Sequence, residues 1–272
     1  MTGAVSDLMN TTGNIAFYDL HTRIRDPIIF SLLDIKQGER ILDVGSGTGY
    51  FAEKMIAYGV APVCVDISVG NLLSIKQHQM NHLFLINAHA EKLPLRNDSF
   101  DKILCSEVLE HIDDERQALR ELVRALRPGG LLVITVPCTE SKFPSLIECL
   151  GIKTVHDYDG PEKHYRKGYT LAELSSVLGN AGMSISRSVY FSHFFSKLLL
   201  DVISLLHLFL RKFVMRQCAW NWADIQQLNS SVFFSIYKVF FPFLLMVSKL
   251  DKYLLSSKSQ GCGLAVCSKK QA

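Results

Sequence analysis

Two groups of residues in this 272-residue chain have types and spacing suited to chemistry. The first is Asp43-Val44-Gly45-Ser46-Gly47-Thr48-Gly49. Glycines at a strand-to-helix turn let the backbone approach a ligand, and the start of the following helix favours an anionic group. Asp66 closes the next apolar run, where a carboxylate can accept both hydroxyls of a ribose. A dinucleotide fingerprint, G-x-G-x-x-G, would put its third glycine at Tyr50. The spacing here is G-x-G-x-G, with an aspartate two residues ahead of the first glycine. The second group is Glu107, Glu110 and His111, joined later by His164. At i, i+3 and i+4 the first three share one face if the segment is helical. Two carboxylates and two imidazoles can take a proton or hold a divalent ion that activates a hydroxyl. A capping role for Glu110-His111 on the next helix is the plainer alternative.

These residues need elements to position them. A helix or two is expected over Ile15–Asp34. After Gly38, strands at Ile41–Val44, Pro62–Val65, Leu83–Asn87, Lys102–Ser106 and Leu131–Val136 alternate with helices at Tyr50–Tyr58, Val69–His78 and Glu115–Leu126. Short apolar strands alternating with helices mean a parallel sheet covered on both faces. Arg127-Pro128-Gly129-Gly130 reads as a helix stop and a tight turn into the next strand. A helix at Leu171–Asn180 and strands at Met183–Tyr190 and Gly263–Ser268 complete the α/β pattern.

In order, ILDVGSGTGYFA, VCVDIS, HAEKLPLRNDSFDKIL, SEVLEHIDD and LRPGGLLVITVP resemble successive motifs of class I S-adenosylmethionine (SAM) methyltransferases. The resemblance is strongest to the ubiquinone/menaquinone-biosynthesis type and runs over residues 38–137, weakening to about 183. It implies a Rossmann-like sheet of seven strands, the last antiparallel, and SAM as methyl donor. It also implies roles. Asp43 and the turn Gly45, Ser46, Gly47, Gly49 would hold the methionine end, Asp66 the ribose, and Ile67 the adenine face. Ala90, Glu91 and a Cys105 carbonyl would meet the adenine edge, where the family commonly has an aspartate that is His89 here. Tyr18 would belong to an N-terminal lid. Glu107, Glu110, His111 and His164 would be the catalytic candidates. The same four are similar to the metal ligands of small-RNA 3′-terminal 2′-O-methyltransferases. Pro137-Cys138 is similar to an RNA C5-methyltransferase pair, but its cysteine lacks an obvious activating neighbour. Cys105-Ser106-Glu107-Val108 stands where amine-methylating DNA enzymes have Asn/Asp-Pro-Pro-Tyr.

About 70 residues separate the last two strands. Residues 194–216 place polar side chains at 197, 201, 204, 207, 211 and 212, a narrow polar stripe on an apolar helix; 232–255 is a second such segment, broken at Pro242. The longest charge-free apolar run, Val239–Ser248, falls short of the roughly 20 residues a bilayer span requires. The net charge of +3 hides an asymmetry: residues 1–186 carry 18 Lys and Arg against 23 Asp and Glu, residues 187–272 carry 11 against 3. The expected organisation is a helical lid at 1–36, a methyltransferase domain at 37–193 and 259–272, and an apolar, basic helical cap at 194–258. A cap packed on the domain is the plain reading; contact with lipid through 194–255 is the sharper one. An insertion before the last strand emerges over the active site of this fold. The expected acceptor is therefore hydrophobic or lipid-linked, such as a quinone precursor, glycolipid or polyketide-like molecule, methylated on oxygen. Metal-assisted RNA 2′-O-methylation and a non-catalytic SAM-binding or membrane-docking module are the alternatives; the acidic first part disfavours nucleic acid. Seven cysteines without C-x-x-C spacing and a start without signal-peptide character give a cytoplasmic expectation, with peripheral contact at the inner membrane face.

Overall fold

The computed structural model describes residues 19–77, 80, 83–142, 145–151, 164–210, 232–254 and 260–271. Helix α1 (Leu20–Leu33) opens where the carboxylate of Asp19 accepts the N–H groups of His21 and Thr22, satisfying two donors of the first turn. The expected start at Ile15 and the lid residue Tyr18 lie outside the described residues. There follow β1 (Ile41–Val44), α2 (Tyr50–Ala57), β2 (Val63–Asp66), α3 (Val69–Gln77), β3 (Phe84–Asn87) and β4 (Phe100–Ser106). A 3-10 turn (Leu109–His111) leads into α4 (Glu115–Ala125) and β5 (Leu126–Pro137). The chain continues through a short α5 (Leu146–Cys149), α6 (Leu171–Asn180), β6 (Met183–Phe191), α7 (Phe194–Leu210), α8 (Val232–Ser248), α9 (Leu250–Leu254) and β7 (Gly263–Lys270).

The strands form one sheet in the order β3-β2-β1-β4-β5-β7-β6. β1 to β5 pair in parallel, and β7 runs antiparallel to both neighbours. β6 therefore points the same way as β5, and its C-terminus reaches the edge where β1, β2 and β4 also end. Every residue of β1 and β4 is buried, as expected of central strands covered on both faces. Leu119, Leu122, Leu174 and Leu178 of α4 and α6 pack on one face with Ile103 and Ile134. Ile29 and Leu33 of α1 and Phe51 and Met55 of α2 pack on the other with Leu104 and Val133.

One expected turn is different in kind. Arg127–Gly130 does not separate a helix from a strand; it is an excursion within β5. Leu126 already pairs with Phe100, and after the excursion Leu131 pairs with Lys102. Pro128 and Gly129, with φ of +74° at the glycine, bulge the strand outward, and pairing with β4 resumes in a shifted register. The stretch from β5 to α6 is held by Tyr169, whose N–H donates to Pro137 O at 2.9 Å and whose carbonyl accepts from Thr139 N at 3.2 Å. Gly168 makes that approach possible, since a β-carbon there would lie 2.5 Å from Pro137 O at a φ of +148°.

Among the described residues, no helix is long and apolar enough to cross a membrane. All six described cysteines are free thiols. Gly168→Ala is expected to lower stability by about 1–3 kcal/mol, the scale of a strained backbone position, read as a lower urea midpoint at unchanged slope.

Candidate active site

The site forms along the edge where the parallel strands end. After β1 the chain turns back on β2: the N–H groups of Gly45 and Ser46 donate to Val65 O at 2.8 and 3.1 Å. Gly45, Gly47 and Gly49 all have positive φ. The outer two are also required by packing. A β-carbon at Gly45 would overlap the Val108 side chain, and one at Gly49 would sit 2.8 Å from Ile75. A β-carbon at Gly47 would meet nothing within 4 Å, so there is open space beside the turn. Gly49 caps α2 without a side-chain hydrogen bond, leaving first-turn donors for an anionic group.

Two buried acids flank the turn, and their surroundings differ. Asp66 at the end of β2 is well supplied with donors: one oxygen accepts Gly47 N–H at 2.8 Å, the other accepts Ser68 N–H at 2.8 Å and the Asn71 amide at 3.2 Å. That leaves one of about four acceptor positions for a ribose hydroxyl. Asp43 has a buried oxygen, Oδ2, with no partner. Burial first, and the Asp66 charge second, push its carboxyl up to about 7. A solitary buried carboxylate is costly until a cation or donor meets it. Asn87 at the end of β3 donates to the main-chain oxygens of Asp66 (3.0 Å) and Ile67 (2.7 Å), fixing Ile67 as a 63% exposed apolar shelf. Ala90 is buried, and Glu91 O accepts from the Gln117 amide of α4 at 3.1 Å. His89 is exposed. Cys105 lies inside β4 between Val44 and Ile134, its thiol in the core and its pKa driven up by burial. Burial likewise pushes the Cys138 thiol up to about 11, which disfavours the thiolate an attacking cysteine needs.

The acid–imidazole group assembles differently from its expected helical face. Glu107 has a φ of +54° and no place in a helix; only Leu109–His111 turn, as 3-10. The i, i+3, i+4 spacing therefore does not put the three side chains together. Tertiary structure instead gathers Glu110, His111 and His164, whose ligand atoms lie within 4.8 Å of one another. The two imidazoles meet edge to face, centroids 4.5 Å apart. Glu107, expected as a fourth ligand, belongs elsewhere: its carboxylate is 3.9 Å from the Arg25 guanidinium of α1. His164 is brought in by the main chain of Glu110, whose carbonyl accepts Tyr165 N–H at 2.8 Å and Arg166 N–H at 3.3 Å. Arg166 stacks on Tyr169 and pairs with Glu115 and Glu173, a packing role. The Glu110 side chain is buried, with Oε2 unpartnered. Burial, and then the Glu107 charge, hold its carboxyl well above the usual carboxylate range.

Sequence reasoning missed the pair on α1. Arg25 donates to His21 Nδ1 at 2.7 Å and to Thr22 Oγ1 at 3.2 Å while facing Glu107. Desolvation and the Arg25 charge depress the His21 pKa, so this imidazole is a neutral acceptor toward Arg25. Asn71 and Asn87 were missed as well. Each stands one element away from Asp66, and only their polarity beside apolar runs signals them.

Comparison with known proteins shows what this geometry resembles. Residues 42–134 match the family described as "Methyltransferase domain". The chain is 35% identical over 107 residues to the demethylmenaquinone methyltransferase of Paenarthrobacter aurescens, covering 39% of this chain and 42% of that protein. It is 37% identical over 150 residues to the ubiquinone biosynthesis O-methyltransferase of Parvibaculum lavamentivorans, covering 54% and 59%. The chain thus spans about two fifths to three fifths of the length of these curated relatives. Among solved structures, an S-adenosylmethionine-dependent methyltransferase from Mesorhizobium loti superimposes with a TM-score of 0.57 at 20% identity, over 92% of this chain and all of that one. A phosphoethanolamine N-methyltransferase from Haemonchus contortus, solved with S-adenosyl-L-methionine, gives 0.58 at 17% identity, over all of this chain and 61% of that one. Residues 42–134 thus match a methyltransferase domain, set in the fold of solved SAM-dependent methyltransferases. The matched stretch is similar to methyltransferases of ubiquinone and menaquinone biosynthesis.

The open space beside Gly47, the unpartnered Asp43 oxygen and the apolar Ile67 shelf suit the amino-acid, cationic and adenine parts of SAM in turn. Because Asp43 must lose its proton to meet a cation, SAM affinity is expected to rise with pH up to about 7 and then level. Below that point the fall approaches tenfold per pH unit, the limit for one linked proton. Asp43→Asn should weaken binding and flatten the profile, as read by calorimetry across pH.

Proposed function

We propose that the chain transfers the methyl group of SAM to a hydroxyl oxygen of a hydrophobic acceptor, in the manner of a quinone precursor. The observation that carries this reading is the Glu110–His111–His164 cluster at the strand edge that also holds Asp43, Gly47 and Asp66. SAM supplies an electrophilic methyl carbon on a sulfonium. The acceptor oxygen bonds that carbon as the carbon–sulfur bond breaks, and S-adenosylhomocysteine is released. A neutral hydroxyl must also give up a proton, and an imidazole of the cluster is the group to receive it. The main work of the chain is alignment and exclusion of water. Relatives named for quinone C- and O-methylation support both the reaction class and an apolar acceptor.

The same cluster supports a second reading, with a divalent ion assisting the hydroxyl. One carboxylate and two imidazoles within 4.8 Å fit the donor preferences of zinc, iron or manganese. Glu110, His111 and His164 would hold the ion, and the charge would lower the pKa of a hydroxyl beside it. Glu107, engaged with Arg25, is outside this set.

The test is transfer of radiolabelled methyl from SAM into a cell extract, partitioned between organic and aqueous phases. Organic counts support the hydrophobic acceptor. Aqueous counts sensitive to ribonuclease overturn it in favour of RNA 2′-O-methylation, and an absence of turnover with intact SAM binding favours a binding module. His111→Ala and His164→Ala are each expected to lower kcat by about 10²-fold or more without altering SAM affinity. Activity abolished by a chelator and restored by a divalent salt selects the metal reading; indifference selects the imidazole base.

A further inference from the structure

The helices between β6 and β7 bury several polar side chains while leaving large apolar ones exposed. On α7 the residues turned inward include Ser196 and Asp201, both buried. Asp201 accepts from Ser145 Oγ at 2.9 Å and pairs with Lys197 at 3.2 Å. The residues turned outward include Leu198, Val202 and Leu206, a single i, i+4, i+8 row, with Ser204 also exposed. α8 packs on α7 and α1 and anchors itself through buried Phe241. Its opposite face presents Val239, Phe243 and Met246, at 76, 56 and 58% exposure. Isolated exposed apolar residues are ordinary; several on each of two helices packed against one another are not.

Charge narrows the choice of what meets this face. Residues 187–272 hold 11 Lys and Arg against 3 acids. Two of those acids, Asp201 and Asp251, are spent inside. Asp251 is buried and accepts the N–H groups of Phe195 and Ser196, capping α7. The third, Asp224, lies outside the described residues. Lys249, next to the apolar row, is exposed. The region therefore combines apolar rows with a surplus of positive charge, and none of its described helices can span a bilayer. That combination fits the interfacial plane of a negatively charged lipid surface, with apolar side chains below the headgroups and cations among them.

We infer that the outward rows of α7 and α8 form a docking surface for an anionic phospholipid bilayer, with the helices lying in its interface. Since β6 ends on the same edge as β1 and β4, docking here sets the methyl-transfer site beside the membrane. That use of the surface rests on the hydrophobic-acceptor reading; the docking does not.

The experiment is flotation of the full chain with vesicles of phosphatidylcholine alone and mixed with phosphatidylglycerol. The chain is expected to float with the mixed vesicles at low salt, and weakly with phosphatidylcholine or at high salt. Replacing two exposed aromatics, as Phe240→Glu with Phe243→Glu, should cut the floated fraction roughly tenfold or more, given the apolar contribution of each side chain. SAM affinity of that variant, unchanged from the parent, shows that the fold survives. Failure of the parent chain to float overturns the inference, as does equal flotation of parent and variant. A concentration-dependent dimer abolished by the same substitutions overturns it too, by assigning the face to a second copy. Loss of methyl transfer with flotation intact would count against the enzymatic reading alone.

Discussion

Two acids end adjacent strands of an apolar sheet, and only one of them is provided with donors. That imbalance governs the site. Asp66 is held by Gly47, Ser68 and Asn71, and so fixes the glycine turn against β2. Asp43, beside it, has an orphan oxygen and takes a proton near neutrality. The cost of ionising it is offset when a cation or a hydrogen-bond donor meets that oxygen. The tight packing of Gly45 under Val108 links that turn directly to the segment after β4.

The segment after β4 is where the candidate catalytic groups separate into two sets. The left-handed backbone at Glu107 swings its carboxylate to Arg25 on α1, while Glu110 and His111 turn to His164. Glu107 still acts on Glu110, since its charge adds to burial in raising the Glu110 carboxyl pKa. Arg25 thus draws one acid away and moderates the other. The first helix is part of the site electrostatics as well as a cover on the sheet.

Farther out, the same edge gives rise to α7 from the end of β6. Asp251 and Asp201 reach inward to cap and anchor α7, and that leaves its apolar rows facing outward. Buried polar anchors and exposed apolar rows are two consequences of one arrangement. Acid side chains satisfied inside are unavailable to offset the surrounding lysines and arginines.

Much of this was legible in the sequence. Apolar runs of four to seven residues place the strands because a strand covered on both faces must be apolar throughout, and the structure has each within a few residues of its expected position. The glycine turn and Asp66 were legible because positive φ and strand-end acids leave a local signature. The excursion in β5 was not, since Pro-Gly-Gly marks a departure from the strand but does not say whether the chain returns to the same ladder. Helical spacing pointed to a shared face for Glu107, Glu110 and His111, and a single left-handed residue cancelled it. The meeting of Glu110 with His164, of Arg25 with Glu107, and of Asn87 with the Ile67 strap depends on elements far apart in the chain. The polar stripe of α7 was plain in the sequence, but not that Asp201 in it would be buried while Ser204 stays exposed. Periodicity fixes which residues share a helix face; only the partners packed against the helix decide which face turns inward.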